Sequence, residues 1–339
     1  PEALTQMASG DLLMAVTPDG RLQVSAGTRL FTLDRIMRVL QMRELGMVRP
    51  HPILAAIDDS TVIMGENNCY VEVPHYGRYC DIPWRTVFRF PYDATASYGC
   101  TFSADGLGEE ELVGESYRHN VYGPVLVPGG PVLCTARGHP DARACPPSER
   151  LDEIFALDAQ TLQLRYRFGQ GLLDHPCGMA VVGDELYVCD RGNDRLQVFT
   201  VTGEHRRSVT GAWREPHRLC FAKGRLYLLE DVDAINLSQG RRLLVLSLQG
   251  DILQVFKHPT EPTAEFTSIC CFDHKLLVSY RYEDENAKSN IGISIGVRNQ
   301  AEVQDGFARV RVRVRVKEKE HGLLALHYPP HWASEACSL

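Results

Sequence analysis

Between His175 and Gly211 the order of apolar and polar positions predicts four short strands separated by turns. Met179 to Val182 and Leu186 to Cys189 are almost wholly apolar, as strands covered on both faces are. Leu196 to Val201 mixes polar with apolar residues, and Arg206 to Thr210 is polar. Burial is therefore expected to fall from the first strand to the fourth.

The second of these strands recurs along the chain. Aligning it on itself places anchors at Leu22, Val62, Val132, Leu186, Leu226 and Leu276, each preceded by a turn and an apolar run. The interval fits a period of ~40 residues carrying insertions. A second register agrees: Arg195 to Gly203 matches Arg242 to Gly250, Glu153 to Thr161 follows the same course with Thr in place of Gly, and Arg29 to Asp34 is a shorter version. The stretch 91–120 fits least and is read as an insertion in the second repeat.

The clearest repeat resembles an NHL repeat. Pro176, Gly178, Ala180, Val181, Leu186, Tyr187, Val188, Asp190, Asn193, Arg195, Leu196, Val198 and Phe199 occupy that family's positions. The resemblance is strong over 175–211 and looser over 11–295. It implies an all-β fold, a six-bladed β-propeller (range five to seven) with four-stranded antiparallel blades. Residues 1–297 form the propeller and 298–339 a C-terminal extension. In that extension Val310, Val312, Val314 and Val316 alternate with Arg311, Arg313 and Arg315, the pattern of a strand with one apolar and one cationic face. Ala308 to Lys317 is therefore expected to close the last blade, its arginines protecting an edge. His327 to Trp332 is Pro-broken and reads as irregular.

Composition narrows the classes. The 339 residues are 44% hydrophobic, enough for a sizeable core, and 36 basic against 43 acidic residues give a net charge of −7. That balance argues against a broad electrostatic grip on RNA or a membrane. No apolar run is long enough to span a bilayer as a helix, and no signal-like pattern follows Pro1, although sequence can precede it. The 11 cysteines form an odd set, many inside apolar strand runs, which fits a reducing, cytoplasmic setting.

The insertions gather in one place. They fall between the second and third strands of a repeat: 135–152 in the third, 230–240 in the fifth and 281–290 in the sixth. In a four-stranded antiparallel blade these loops emerge beside the start of the first strand, so one face carries them all. Loops on a rigid scaffold are where function sits. Their summed charge is acidic, which lacks the cationic footprint of phosphate binding and favours a protein or peptide ligand. The expected binding residues on this face are His51, Cys177, His217, Arg218, Arg137, Arg143, Glu230, Asp231, Asp233, Glu283 and Asp284.

The NHL-type fold includes the peptidyl-hydroxyglycine amidating lyase, whose propeller holds zinc with histidines where first strands begin. Here those positions carry His51, Cys177 and His217, a donor set zinc accepts. Their spacing does not suit a symmetrical channel site, so hydrogen-bonding caps are the preferred reading and no catalytic residue, metal or cofactor is assigned. Asp231 and Asp233 lack the Gly and Glu of a calcium loop, and Asp190 and Asn193 read as turn residues, with Arg195 expected to pair with Asp190 or with a neighbouring blade. The expectation is a monomeric, non-enzymatic protein-interaction platform. The alternatives are a metal-dependent lyase or hydrolase, and the substrate-recognition domain of a larger chain such as a ubiquitin ligase.

Overall fold

A computed structural model describes side chains at 12–17, 19–25, 30–42, 123–135, 152–159, 164–230, 242–257 and 264–280, together with the backbones of the strands named below. Among these residues the chain is all-β apart from a single 3-10 turn at Arg191–Asn193. The first sheet is β1 (Leu12–Val16), β2 (Leu22–Ala26), β3 (Arg29–Leu33) and β4 (Val39–Glu44). The second starts with β5 (Ile53–Asp58) and β6 (Thr61–Gly65). A separate hairpin, β7 (Cys69–Glu72) with β8 (Tyr79–Ile82), precedes the sheet's third and fourth strands, β9 (Thr86–Pro91) and β10 (Thr101–Ser103). The third is β11 (Asn120–Leu126), β12 (Val132–Arg137), β13 (Glu153–Leu157) and β14 (Leu164–Phe168); the fourth is β15 (Pro176–Val182), β16 (Glu185–Asp190), β17 (Arg195–Thr200) and β18 (His205–Thr210). The fifth is β19 (Pro216–Ala222), β20 (Arg225–Glu230), β21 (Leu243–Leu246) and β22 (Ile252–Phe256). The sixth holds β23 (Glu265–Phe272), β24 (Lys275–Asp284), β25 (Ala287–Ile295), β26 (Val310–Val312) and β27 (Glu320–His327).

All six repeat anchors lie in the second strand of a sheet. In the fourth sheet burial falls toward the last strand as expected: β15, β16 and β17 are each buried over five positions and β18 is mostly exposed. In the fifth sheet burial is greatest in the second and third strands, because β19 mixes buried with half-buried positions. A middle strand is flanked on both edges and covered on both faces, and an inner strand has one free edge. The tight turns follow local chemistry. Lys223 and Gly224, and Asp273 and His274, all have positive φ, as two-residue hairpins of the primed type require.

Two compact units divide the chain: 51–208, and 1–50 with 209–339. In 51–208 the third and fourth sheets share a core in which Leu133, Ile154 and Ala156 meet Met179, Leu186, Val188 and Phe199. Their inner strands approach closely. A Cβ on Gly123 would lie 2.4 Å from the Cys177 carbonyl oxygen, and Thr135 Oγ1 donates to that same oxygen at 2.9 Å. In the other unit the first and last sheets pack directly on each other. Leu12, Met14, Leu22, Val24, Phe31 and Leu33 bury against Cys270, Phe272 and Leu277, and Ser279 Oγ donates to the Leu12 carbonyl at 2.9 Å. The fifth and sixth sheets are joined by a core built on Tyr227, Leu229, Val245, Phe266 and Val278.

One expectation about the sheets is corrected by the pairings, and a second is extended. The stretch 91–120 is not wholly an insertion, because Thr101–Ser103 supplies the fourth strand of the second sheet; the hairpin β7–β8 lies instead between its second and third strands. In the last sheet Val310–Val312 pairs with β25 as the edge strand, and a further strand, β27, lies beside the buried half of β24, in register Leu276↔Leu326, Leu277↔Ala325 and Val278↔Leu324. Leu323 to Leu326 is wholly apolar where β25 mixes apolar with polar residues, so it is the better neighbour for Leu276, Leu277 and Val278, each almost fully buried.

Candidate functional site

In each antiparallel sheet the ends of the second and fourth strands share an edge with the starts of the first and third. In the unit 51–208 that edge carries the connections 66–85, 104–119 and 138–152; in the other unit it carries 231–242. The opposite edge has the short turns 59–60, 127–131, 183–184, 223–224 and 273–274, with 92–100 as its long exception. In the sixth sheet β24 and β25 pair out to Asp284↔Ala287, so most of the expected loop over 281–290 is strand.

A repeated ion pair fixes the edge in two sheets. Asp190, the last residue of β16 and fully buried, accepts from Arg195 Nε at 2.7 Å, from Asn193 Nδ2 at 3.0 Å and from the Asp174 N–H at 2.6 Å, while Arg195 Nη2 donates to the Leu172 carbonyl at 3.0 Å. Glu230, the last residue of β20, repeats the arrangement. It accepts from Arg242 Nε at 2.6 Å, from Arg242 Nη2, and from the Arg214 N–H at 3.0 Å, and Arg242 Nη2 also reaches the Ala212 carbonyl at 3.2 Å. A carboxylate at the end of a second strand thus ties the third strand's arginine to the segment leading into the first strand. Buried charges persist because they are paired and hydrogen-bonded.

Among the residues expected to bind, Glu230 is therefore internal: it is 2% exposed and neutralised by Arg242, so it adds no charge to the face. Cys177 is 1% exposed, with its thiol 3.4 Å from the His175 carbonyl oxygen that accepts from it. His217 and Arg218 are half-buried on β19. His51, Arg143, Asp231 and Asp233 lie outside the described residues, as do the side chains of Arg137, Glu283 and Asp284. The described cysteines are free thiols, and burial pushes the Cys134 and Cys220 thiols up to about 12.

A different group of side chains converges on the edge between the third and fourth sheets. His175 donates its backbone N–H to Asp152 Oδ2 at 2.7 Å, and its Nδ1 lies 2.6 Å from Asp174 Oδ1. One donor atom from each of Asp152, Asp174 and His175 lies within 4.8 Å of the others. Asp152 is almost fully buried at the end of the connection 138–152, and the neighbouring Glu153 carboxyl is raised by burial against the bonds it accepts from Gln170 and Arg167. Aligning the repeats on Pro hid this group. In the second and fifth repeats His follows Pro, at His51 and His217, but in the fourth His175 precedes Pro176, so Cys177 occupied the aligned place.

No protein-family model matches the chain, and no curated protein matches it in sequence. Solved structures do match in shape. A protein of unknown function from Bacteroides caccae superposes with a TM-score of 0.55 at 10% identity, over 91% of this chain and 100% of that one. The WD40 β-propeller domain of Doa1 does so at 0.51 and 14% identity, over 80% and 76%. The fold is that of a β-propeller. A streptogramin B lyase structure is also similar, with a TM-score of 0.50 and 13% identity over 82% of this chain and 80% of that one. Propellers of this shape thus include an enzyme and a WD40 domain, and at such identities the likeness carries the fold alone.

Proposed function

We propose that this chain is a non-enzymatic interaction platform, an NHL-like propeller that binds a protein or peptide on the edge of the unit 51–208 that carries 66–85, 104–119 and 138–152. One observation carries the reading: two of these three long connections join second to third strands, whereas every first-to-second turn is short. Loop drift without function would lengthen both edges alike, and a rigid scaffold with one elaborated edge is the arrangement of a binding surface. The net charge of −7 speaks against RNA as the ligand. Replacing 138–152 by an Asn-Gly turn tests the assignment. Proteins cross-linked to the wild-type chain in its native extract should be lost from this variant and kept by one with an altered 127–131 turn. Equal recovery by both, with both variants folded, overturns the proposal.

A further inference from the structure

We propose that Asp152, Asp174 and His175 form a binding site for a divalent transition-metal ion, with zinc as the ion the donor set suits. Two carboxylate oxygens and one imidazole nitrogen are the mixed hard and borderline ligands that zinc takes, whereas the imidazole disfavours calcium or magnesium, which prefer all-oxygen shells. Three protein donors leave a fourth position for water or a ligand carboxylate. The donors come from two separate connections, Asp152 closing 138–152 and the Asp174-His175 pair leading into β15, and their ligand atoms already lie within 4.8 Å of one another. Tetrahedral zinc holds its oxygen and nitrogen donors roughly 3.3 Å apart, so binding needs movements of about 1 Å. Asp174 and His175, with side chains 36% and 30% exposed, have room to make them.

The surroundings fix the backbone under these donors. The Asp174 N–H is held by buried Asp190 at 2.6 Å, and the Asp174 carbonyl accepts from the Gly192 N–H at 2.8 Å. Gly192 also makes room for the carboxylate, since a Cβ there would lie 2.5 Å from Asp174 Cγ. Outer groups of this kind orient metal ligands. Without the ion, the 2.6 Å contact between His175 Nδ1 and Asp174 Oδ1 is a hydrogen bond; zinc would take the place of the shared proton.

The test uses the full chain, stripped with a chelator and titrated with zinc and, separately, with cobalt. Zinc should bind the wild type. Asp174→Asn, His175→Asn and Gly192→Ala should each weaken it by more than about tenfold, the last by displacing the Asp174 carboxylate while every ligand residue is kept. Asn suits position 175 because it accepts the left-handed backbone that His175 adopts at φ 52°. Cobalt in the wild type should give the weak visible bands of oxygen and nitrogen ligation, without thiolate charge transfer. That spectrum decides the matter even if a variant fails to fold. Failure of the wild type to bind zinc, variants that bind it as tightly, or a thiolate-type cobalt spectrum would each overturn the site and leave the trio as a hydrogen-bonded cap.

Discussion

Replacing Arg242 by Met would strip the fully buried Glu230 carboxylate of its guanidinium and leave, of the donors described, the Arg214 N–H at 3.0 Å. Breaking a buried pair from one side costs about 3–5 kcal/mol when the stranded charge stays dry. The Arg242 side chain is 23% exposed, so water can enter the vacated space, and the lower end of that range, about 3 kcal/mol, is expected. Arg195→Met should cost less. Asp190 keeps Asn193 Nδ2 and the Asp174 N–H, and Arg195 is more exposed at 30%, which reduces the expected loss to about 1.5–2.5 kcal/mol, within the range for a hydrogen bond to a charged group. The double change Glu230→Gln with Arg242→Met should recover part of the loss, because no buried charge then remains unpaired. Urea unfolding at constant m-value measures all four proteins. The reasoning fails if Arg195→Met is the more costly change, or if the double variant is less stable than Arg242→Met alone.

Leu186→Ala should cost about 2–5 kcal/mol, since Leu186 is fully buried in the core between the third and fourth sheets; a loss below about 1 kcal/mol in the same melts would contradict that packing. The Glu185 carboxyl is held below its ordinary value of 4.5 chiefly by the hydrogen bond from Arg207. A depressed folded pKa contributes stability that is present above the unfolded value and lost as pH falls through the folded one. Glu185→Gln should therefore flatten the loss of stability below pH 4.5, and an unchanged acid limb would refute the pairing. Ending the chain after Gln304 removes β26 and β27 and exposes the β24 edge at Lys275 to Ser279, so the melting temperature should fall; an unchanged melt would show that this strand adds nothing.

The blades were legible in the sequence because their middle strands repeat one short apolar pattern, and every anchor from Leu22 to Leu276 falls in a second strand. The Asp190 and Arg195 pair was legible as one of two partners for Arg195, the other being a neighbouring blade, since both residues flank one tight turn. Its twin was not: Glu230 and Arg242 are separated by a long connection, and Glu230 was counted as a free acid of the face. The same kind of distance hid the Asp152, Asp174 and His175 group, whose members meet only because adjacent sheets share an edge. At the C-terminus, the strict Val and Arg alternation drew the eye from Leu323 to Leu326, a run without period that has the apolar content a buried neighbour of β24 needs.

The claim that one edge is the binding surface is tested most directly by photo-crosslinking from single positions in the native extract. A photoreactive residue at Glu149, in 138–152, should form adducts with a discrete partner, and the same residue at Asp184, in the turn 183–184 on the opposite edge, should form none. Adducts from Asp184 with none from Glu149 would contradict the account and move the binding surface to the other edge.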